Sequence, residues 1–453
     1  MTDGNDFSGR SGPAEQGTKA RRTRRPRDDD RPRWHPFTLI AFRFGVVYLG
    51  LFALATQISA SMLPNLVFTY RGLGQLWPMR EVTHWTAASI FGIPFRLDDA
   101  SRGEPLFFWI QTLWIAIVSL VAAAAWSGLD RRRDAYRTAY GWFHLAVRLA
   151  LAASLFEYGM TKVIPTQFPA PPLATLVTPV GDLSLSALLW TSIGASQPYE
   201  IFTGCIEVLA AVLLVIPRTA SLGAAIGLGA LMQILALNLT YDIGLKLTTM
   251  HLVVLAAILL APDIPRITDF FVRRRPAAAA TPPPVVRTRR AQRLLFAAQI
   301  AFGAYLLGMY AYINWSFWQV AGGGRPRSAL YGIWNVEQLA IDGDVRPPDL
   351  NDYDRRWRRV IFDEPDSVVF QRTDDSLARY GVVVDVDRNA LELTKGSSRN
   401  WQAAFTFARP SADWLILEGE MDGHRIEARL RRIDFDAFPL LNSTFRWVRP
   451  HDP

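Results

Sequence analysis

Cysteine is almost absent from these 453 residues: Cys205 stands alone. A single thiol makes no intramolecular disulfide and no Cys-x-x-Cys couple, so thiol–disulfide chemistry within the chain is excluded. Set inside an apolar stretch, Cys205 reads as a small core residue. Metal-ligand spacing is missing at the residues that invite it. His144, His251 and Glu207 belong to no His-x-x-x-His or Glu-x-x-His pair, so no metal is expected. No flavin, haem or iron–sulfur signature is present either, which leaves any redox chemistry dependent on a partner or a substrate. A cleavable signal is not expected, because the apolar run from His35 to Ile58 is too long and no small-residue cleavage site closes it.

Apolar side chains are abundant. Half of the residues are hydrophobic, with 15 Trp and 26 Phe, and at this length two or more domains are expected. The formal net charge of +8 comes from Lys and Arg grouped beside long apolar runs. That grouping is the positive-inside pattern of a membrane protein, so the bilayer is the expected partner and nucleic acid is not. Residues 1–35 read as a basic disordered tail, and 36–272 as a helical bundle crossing the membrane six times. Residues 273–292 form a Pro- and Arg-rich linker, and 293–318 a seventh span. Arg43, in the first span, is expected to snorkel to the nearer surface. The Arg clusters (131–133, 218, 266 and 273–275) all fall on one side of this alternation. The expected topology therefore has the amino terminus in the cytoplasm and the carboxyl terminus outside.

After Gly322-Gly323-Gly324 the pattern changes. Short alternating runs follow from Arg358 to Arg449, separated by turn signals such as Glu364-Pro365-Asp366 and Asp422-Gly423. About eight such runs predict a closed antiparallel barrel over residues 325–453. Trp334, which opens the first strand, is expected to plug its floor beneath Arg446 or Arg449.

The chemistry concentrates in the third span, Gly141 to Gln167, which carries His144, Arg148, Glu157 and Lys162. A charge at mid-membrane costs about 2.5–3.5 kcal/mol on insertion scales, so such groups face a bundle interior or a wet cavity. Arg148 and Lys162 share a helix face and Glu157 points away from it. The fourth span adds Glu200 and Glu207 on one face, and matching depths predict the cross-helix pairs Arg148–Glu207 and Lys162–Glu200. Around the sixth span lie Asn238, Tyr241, Asp242, Lys246 and His251, with Asp242 and Lys246 one turn apart. Lys162, Glu207 and Arg148 are the candidate catalytic residues. Glu157, Tyr158, Asp242, Lys246 and His251 are the candidate cofactor-binding ones.

Tyr158-Gly159-Met160-Thr161-Lys162, followed by Gly204, Glu207 and Pro217-Arg218-Thr219, resembles the DoxX family of small bacterial membrane proteins. The likeness covers about residues 140–270, and Lys162 and Glu207 are the matching polar positions. It implies a bacterial inner-membrane location and a link to quinone-dependent sulfur or oxidative-stress chemistry, with a redox partner subunit. The Gly-x-Trp start of the barrel is similar to lipocalins, which implies a small apolar ligand there. Two functions are expected from these readings. One is a quinone-linked oxidoreductase component, in which Arg148 and Lys162 bind a carbonyl or anion and Glu207 relays a proton. The alternative is a non-enzymatic lipid-binding or assembly protein that uses the barrel in the periplasm.

Overall fold

The computed structural model describes residues 33–63, 72–92, 106–276, 285–286, 288–348, 356–396, 398–442 and 447–448. Residues 1–32 of the expected tail, 277–284 and 287 of the linker, and Arg446 and Arg449 of the last expected run fall outside them.

Helices build the first part of the chain. In order they are α1 (Pro36–Ala55), α2 (Gln57–Met62), α3 (Met79–Ser89), α4 (Leu106–Leu129) and α5 (Arg137–Val163). Two short helices, α6 (Leu173–Leu176) and α7 (Leu185–Gly194), lie in the connection to α8 (Gln197–Val215). Then come α9 (Ala220–Thr240), α10 (Lys246–Leu260), α11 (Ile264–Phe271) and α12 (Arg289–Ala321). Seven of these are long and apolar enough to cross a membrane: α1, α4, α5, α8, α9, α10 with its continuation through α11, and α12. The chain is a multi-pass membrane protein, as the apolar runs predict.

Local signals set the helix ends. Pro36 opens α1, and the His35 imidazole accepts the Phe37 N–H at 3.3 Å. The Thr288 hydroxyl caps α12 by accepting the Ala291 N–H. At its other end α12 continues past the expected stop, and Gly322-Gly323-Gly324 wraps the Trp318 ring so closely that a Cβ at Gly324 would lie 2.6 Å from it. The Arg43 guanidinium is buried and reaches the α4–α5 turn, where it donates to Tyr136 Oη, Ser127 Oγ and the Asp130 carbonyl.

At the centre runs α5. Leu151, Ala152, Ala153 and Leu155 are fully buried, packed against Ala210, Ala211 and Leu214 of α8 and against Ala224 of α9. Small residues on α8 and α9 let the backbones approach, the packing on which membrane helices depend.

The second part is all-β. The strands are β1 (Gly332–Ile341), β2 (Asp344–Arg346), β3 (Trp357–Phe362), β4 (Ser367–Arg372), β5 (Leu377–Asp385), β6 (Ala390–Lys395), β7 (Ser398–Ser411), β8 (Trp414–Met421) and β9 (His424–Arg432). Each pairs antiparallel with its neighbour, and β1 pairs with β9, which closes an eight-stranded barrel with β2 as a short hairpin arm on β1. Closure removes the free sheet edges. Trp334, Val360, Phe362, Val368 and Phe370 point inward into one continuous apolar cluster. The Arg409 guanidinium of β7 lies over the Trp334 ring at 5.7 Å; the expected Arg446 and Arg449 lie outside the described residues.

Alternate residues point outward. Ile333, Ile361 and Val369 cover Leu173 and Ala174 of α6, which explains why β3 and β4 are apolar on both faces. Asp363 accepts the Leu173 N–H at 2.9 Å, and Gln371 donates to the Val177 carbonyl at 3.1 Å. The barrel thus grips the α5–α8 connection from outside.

A candidate site at a buried ion pair

Two glycines bring α5 and α8 together. A Cβ at Gly204 would lie 2.7 Å from the Gly159 carbonyl and from the Lys162 Cβ, and one at Gly159 would lie 2.8 Å from the Val208 side chain. At that crossing Lys162 and Glu207 meet. Lys162 Nζ lies 2.8 Å from one Glu207 oxygen and 3.1 Å from the other, and donates to the Tyr158 carbonyl at 3.1 Å. Lys162 is 6% exposed and Glu207 2%. All three ammonium protons have acceptors, so the pair is internally satisfied.

The two pairs expected from helix depth do not form. Lys162 is level with Gly204, not with Glu207, and side-chain direction closes the gap. Side chains lean toward their own helix N-terminus, so on antiparallel helices Lys162 and Glu207 lean toward one another. Glu200 stands one turn beyond Gly204, at the entry of the connection, where its carboxylate accepts the Phe168 N–H at 3.0 Å. Arg148 is fourteen residues before Lys162, about 21 Å along the helix, and donates instead to Gln299 of α12. The residue expected as one of a catalytic group with Lys162 and Glu207 is therefore not with them.

An apolar cavity of about 80 Å³, open at its mouth, lies against the ion pair. Lys162, Glu207 and Tyr158 line one wall; Asn238 and Thr249 line another; Phe168, Trp190 and Ile193 form the roof. Phe168 and Trp190 touch, with ring centroids 4.8 Å apart. The Asn238 amide donates to Thr249 Oγ1 at 2.9 Å, which turns its carbonyl oxygen the other way. Gly194 fixes the roof against the connection, since a Cβ there would lie 2.3 Å from the Pro169 carbonyl. Mostly apolar walls with a few oriented polar groups are the usual make-up of a small-molecule site.

The other candidates lie elsewhere, Tyr158 excepted. The Tyr158 hydroxyl accepts from Gln57 of α2 at 2.5 Å and Tyr158 lines the cavity. Glu157 faces α2 on the opposite side of α5, where Ser61 donates to it. Asp242 and Lys246 pair at the turn between α9 and α10, and the ammonium holds the Asp242 carboxyl below its usual range. His251 packs toward α1, its ring 3.6 Å from that of Phe52 and stacked on it. Its Nδ1 lies 2.8 Å from the Leu247 carbonyl, which only accepts, so Nε2 accepts from the Tyr48 hydroxyl at 2.8 Å. Cys205 is exposed rather than in the core, because it follows Gly204 off the face that α8 turns to α5. Among the described residues no cluster of three or more His, Cys, Asp or Glu side chains is placed to hold a metal. Trp190, Phe168 and Thr249 were not among the sequence candidates. A Trp in an apolar piece too short to cross and a Thr one turn beyond Lys246 were the available signals.

The chain is similar to an uncharacterized protein of Bacillus subtilis (strain 168), YwoB, with 41% identity over 119 residues. The match spans 26% of this chain and 73% of that protein. No protein-family model matches the chain, and no solved structure matches it.

Proposed function

The chain belongs to the same protein family as YwoB of Bacillus subtilis, and we propose that it binds a lipophilic ring compound, a quinone, in the cavity beside Lys162 and Glu207. The observation that supports this is a buried, saturated ion pair forming one wall of an otherwise apolar, open-mouthed cavity. Flat apolar surface from Trp190, Phe168 and Ile193 suits a ring, and Asn238 and Tyr158 offer polar contacts at its rim. A bound quinone would supply two-electron chemistry, with the electrons coming from a redox partner subunit. Lys162 and Glu207, joined at 2.8 Å, are placed to hold and exchange a proton at the cavity wall. This reading is that of a DoxX-like protein acting as a quinone-linked component. It puts the basic helix ends in the cytoplasm and the barrel on the outer side of a bacterial inner membrane.

The alternative, in which the barrel carries the ligand, is less supported. The barrel interior is occupied by Trp334, Phe362, Phe370 and Phe405 in one packed cluster, whereas the cavity lies in the bundle. Mass spectrometry of the lipophilic extract from purified protein tests the proposal. A quinone retained by the wild type and lost from a Lys162→Ala/Glu207→Ala variant that still folds is the expected result. Equal retention by both, or an extract without quinone, refutes it.

A further inference from the structure

Arg148 is the other buried basic side chain of the Lys or Arg type on α5, and its situation is the reverse of that of Lys162. It lies eleven residues into a helix of 27, about 16 Å from the end away from the barrel. It is 8% exposed, yet its described hydrogen-bond partner is neutral: the side-chain oxygen of Gln299 accepts from Nη2. Its buried Nε has no partner. The Gln299 amide is itself anchored, donating to the Leu295 carbonyl at 2.9 Å, so its oxygen is held toward Arg148. Among the described residues no carboxylate forms an ion pair with Arg148. One turn away on α5 is His144, and beyond it Asp263, which Arg266 and Ser221 already engage. A guanidinium has five donors, and an unpaired charge in apolar surroundings is costly enough that such groups find an anion.

The anion has a source close by. Arg289, Arg290 and Arg293 are exposed on the first turns of α12, with Gln299 about 9 Å further along the helix from Arg293. Basic residues at a helix end draw anionic headgroups to it. We propose that Arg148, steadied by Gln299, is a binding site for an oxyanion, the phosphate of an anionic lipid headgroup, between α5 and α12 in the half of the bundle away from the barrel. About 21 Å of α5 separates this site from Lys162, with Leu151 and Leu155 fully buried between them, so it stands apart from the cavity and its ligand.

The full chain in phosphatidylcholine nanodiscs, with or without phosphatidylglycerol, tests this by native mass spectrometry of retained lipid and by thermal melting. Wild type is expected to retain phosphatidylglycerol selectively and melt higher with it, and Arg148→Gln to retain it about tenfold or more weakly. Arg148→Lys keeps the charge but loses the planar fork, so it should fall between them, as should Gln299→Leu; these two carry the test if Arg148→Gln does not fold. Inorganic phosphate added to the phosphatidylcholine discs separates the sources: stabilisation by phosphate alone, absent in the variants, assigns the site to a free anion. No preference in wild type for phosphatidylglycerol and no effect of phosphate overturns the proposal. So does retention by the variants equal to that of wild type.

Discussion

Breaking the Lys162–Glu207 pair one residue at a time should cost far more than removing it whole. Lys162→Met leaves a carboxylate that is 2% exposed without its counter-ion, and Glu207→Leu leaves an ammonium that is 6% exposed with one remaining acceptor, the Tyr158 carbonyl. Stranding one member of a buried pair costs about 3–5 kcal/mol, so the two single changes together sum to about 6–10 kcal/mol. The double variant Lys162→Met/Glu207→Leu strands nothing. It replaces two charges by apolar groups of similar volume where the neighbours are apolar, and such swaps run from neutral to about 1–4 kcal/mol stabilising. The cycle therefore predicts a coupling of several kcal/mol, with the double variant at or above wild-type stability. Unfolding of the full chain in detergent, followed by size-exclusion retention across temperature, measures each corner. A double variant as unstable as the sum of the singles would refute the argument, because it would mean that each charge is stabilised by something other than its partner. Ligand retention should be lost in all three variants, which separates the site's function from its stability.

At the helix crossing, Gly204→Ala should destabilise by about 1–3 kcal/mol, since the new Cβ meets the Gly159 carbonyl and the Val163 nitrogen, backbone atoms that cannot rotate away; unchanged melting would show that the two helices are free to separate. Asp363→Ala strips the acceptor from the Leu173 N–H, at a cost of about 1–3 kcal/mol. It should raise hydrogen exchange across residues 168–177 and weaken ligand retention at the cavity roof; exchange unchanged from wild type would sever the barrel from the roof. On the barrel, His424 and the Arg425 N–H hydrogen-bond the Asp342 carboxyl and hold it below its usual range. A carboxyl depressed by folding adds stability above its unfolded value, near pH 4, and loses it as pH falls through the folded value. The β1–β2 and β8–β9 turns should therefore loosen only below about pH 4, seen as faster exchange there. Asp342→Asn, which tolerates the same left-handed backbone, should flatten that dependence.

Periodicity made the architecture legible and left the pairing of charges illegible. Seven apolar runs and the alternation after Gly324 are one-dimensional patterns, so the spans and the strands β3 to β9 appear within a few residues of their final bounds. The choice of partner for Lys162 is not such a pattern. It depends on the level at which α5 meets α8, which two glycines set, and on which way each side chain leans. Equal depths from the helix ends ignored both, and so matched Arg148 to Glu207. Cys205 shows the same limit: an apolar neighbourhood in sequence does not separate the lipid-facing side of a membrane helix from its core side. The outward face of β3 was also hidden, since Ile361 is apolar for the sake of Leu173, nearly two hundred residues away.

Under the proposed binding function, that contact gives a barrel whose interior is full a part to play. Packed by Trp334 and its neighbours, the barrel acts through its outer wall, where Ile333, Ile361 and Val369 seat Leu173 and Ala174. The seated segment continues back to Phe168, whose N–H is held by Glu200 and whose ring meets Trp190 over the cavity. Both ends of the roof are thereby fixed, one by a buried carboxylate on α8 and one by a rigid closed sheet. A connection of some thirty residues between α5 and α8 would otherwise be free to sample many conformations, at an entropic penalty for every ligand that had to order it. If the proposed ligand binds there, clamping the connection beforehand removes that penalty and sets Trp190 and Phe168 in place in advance. A protein that binds with the barrel intact and loses affinity, but not its fold, when Asp363 and Gln371 are replaced together would show the barrel to be a clamp for a site it never touches.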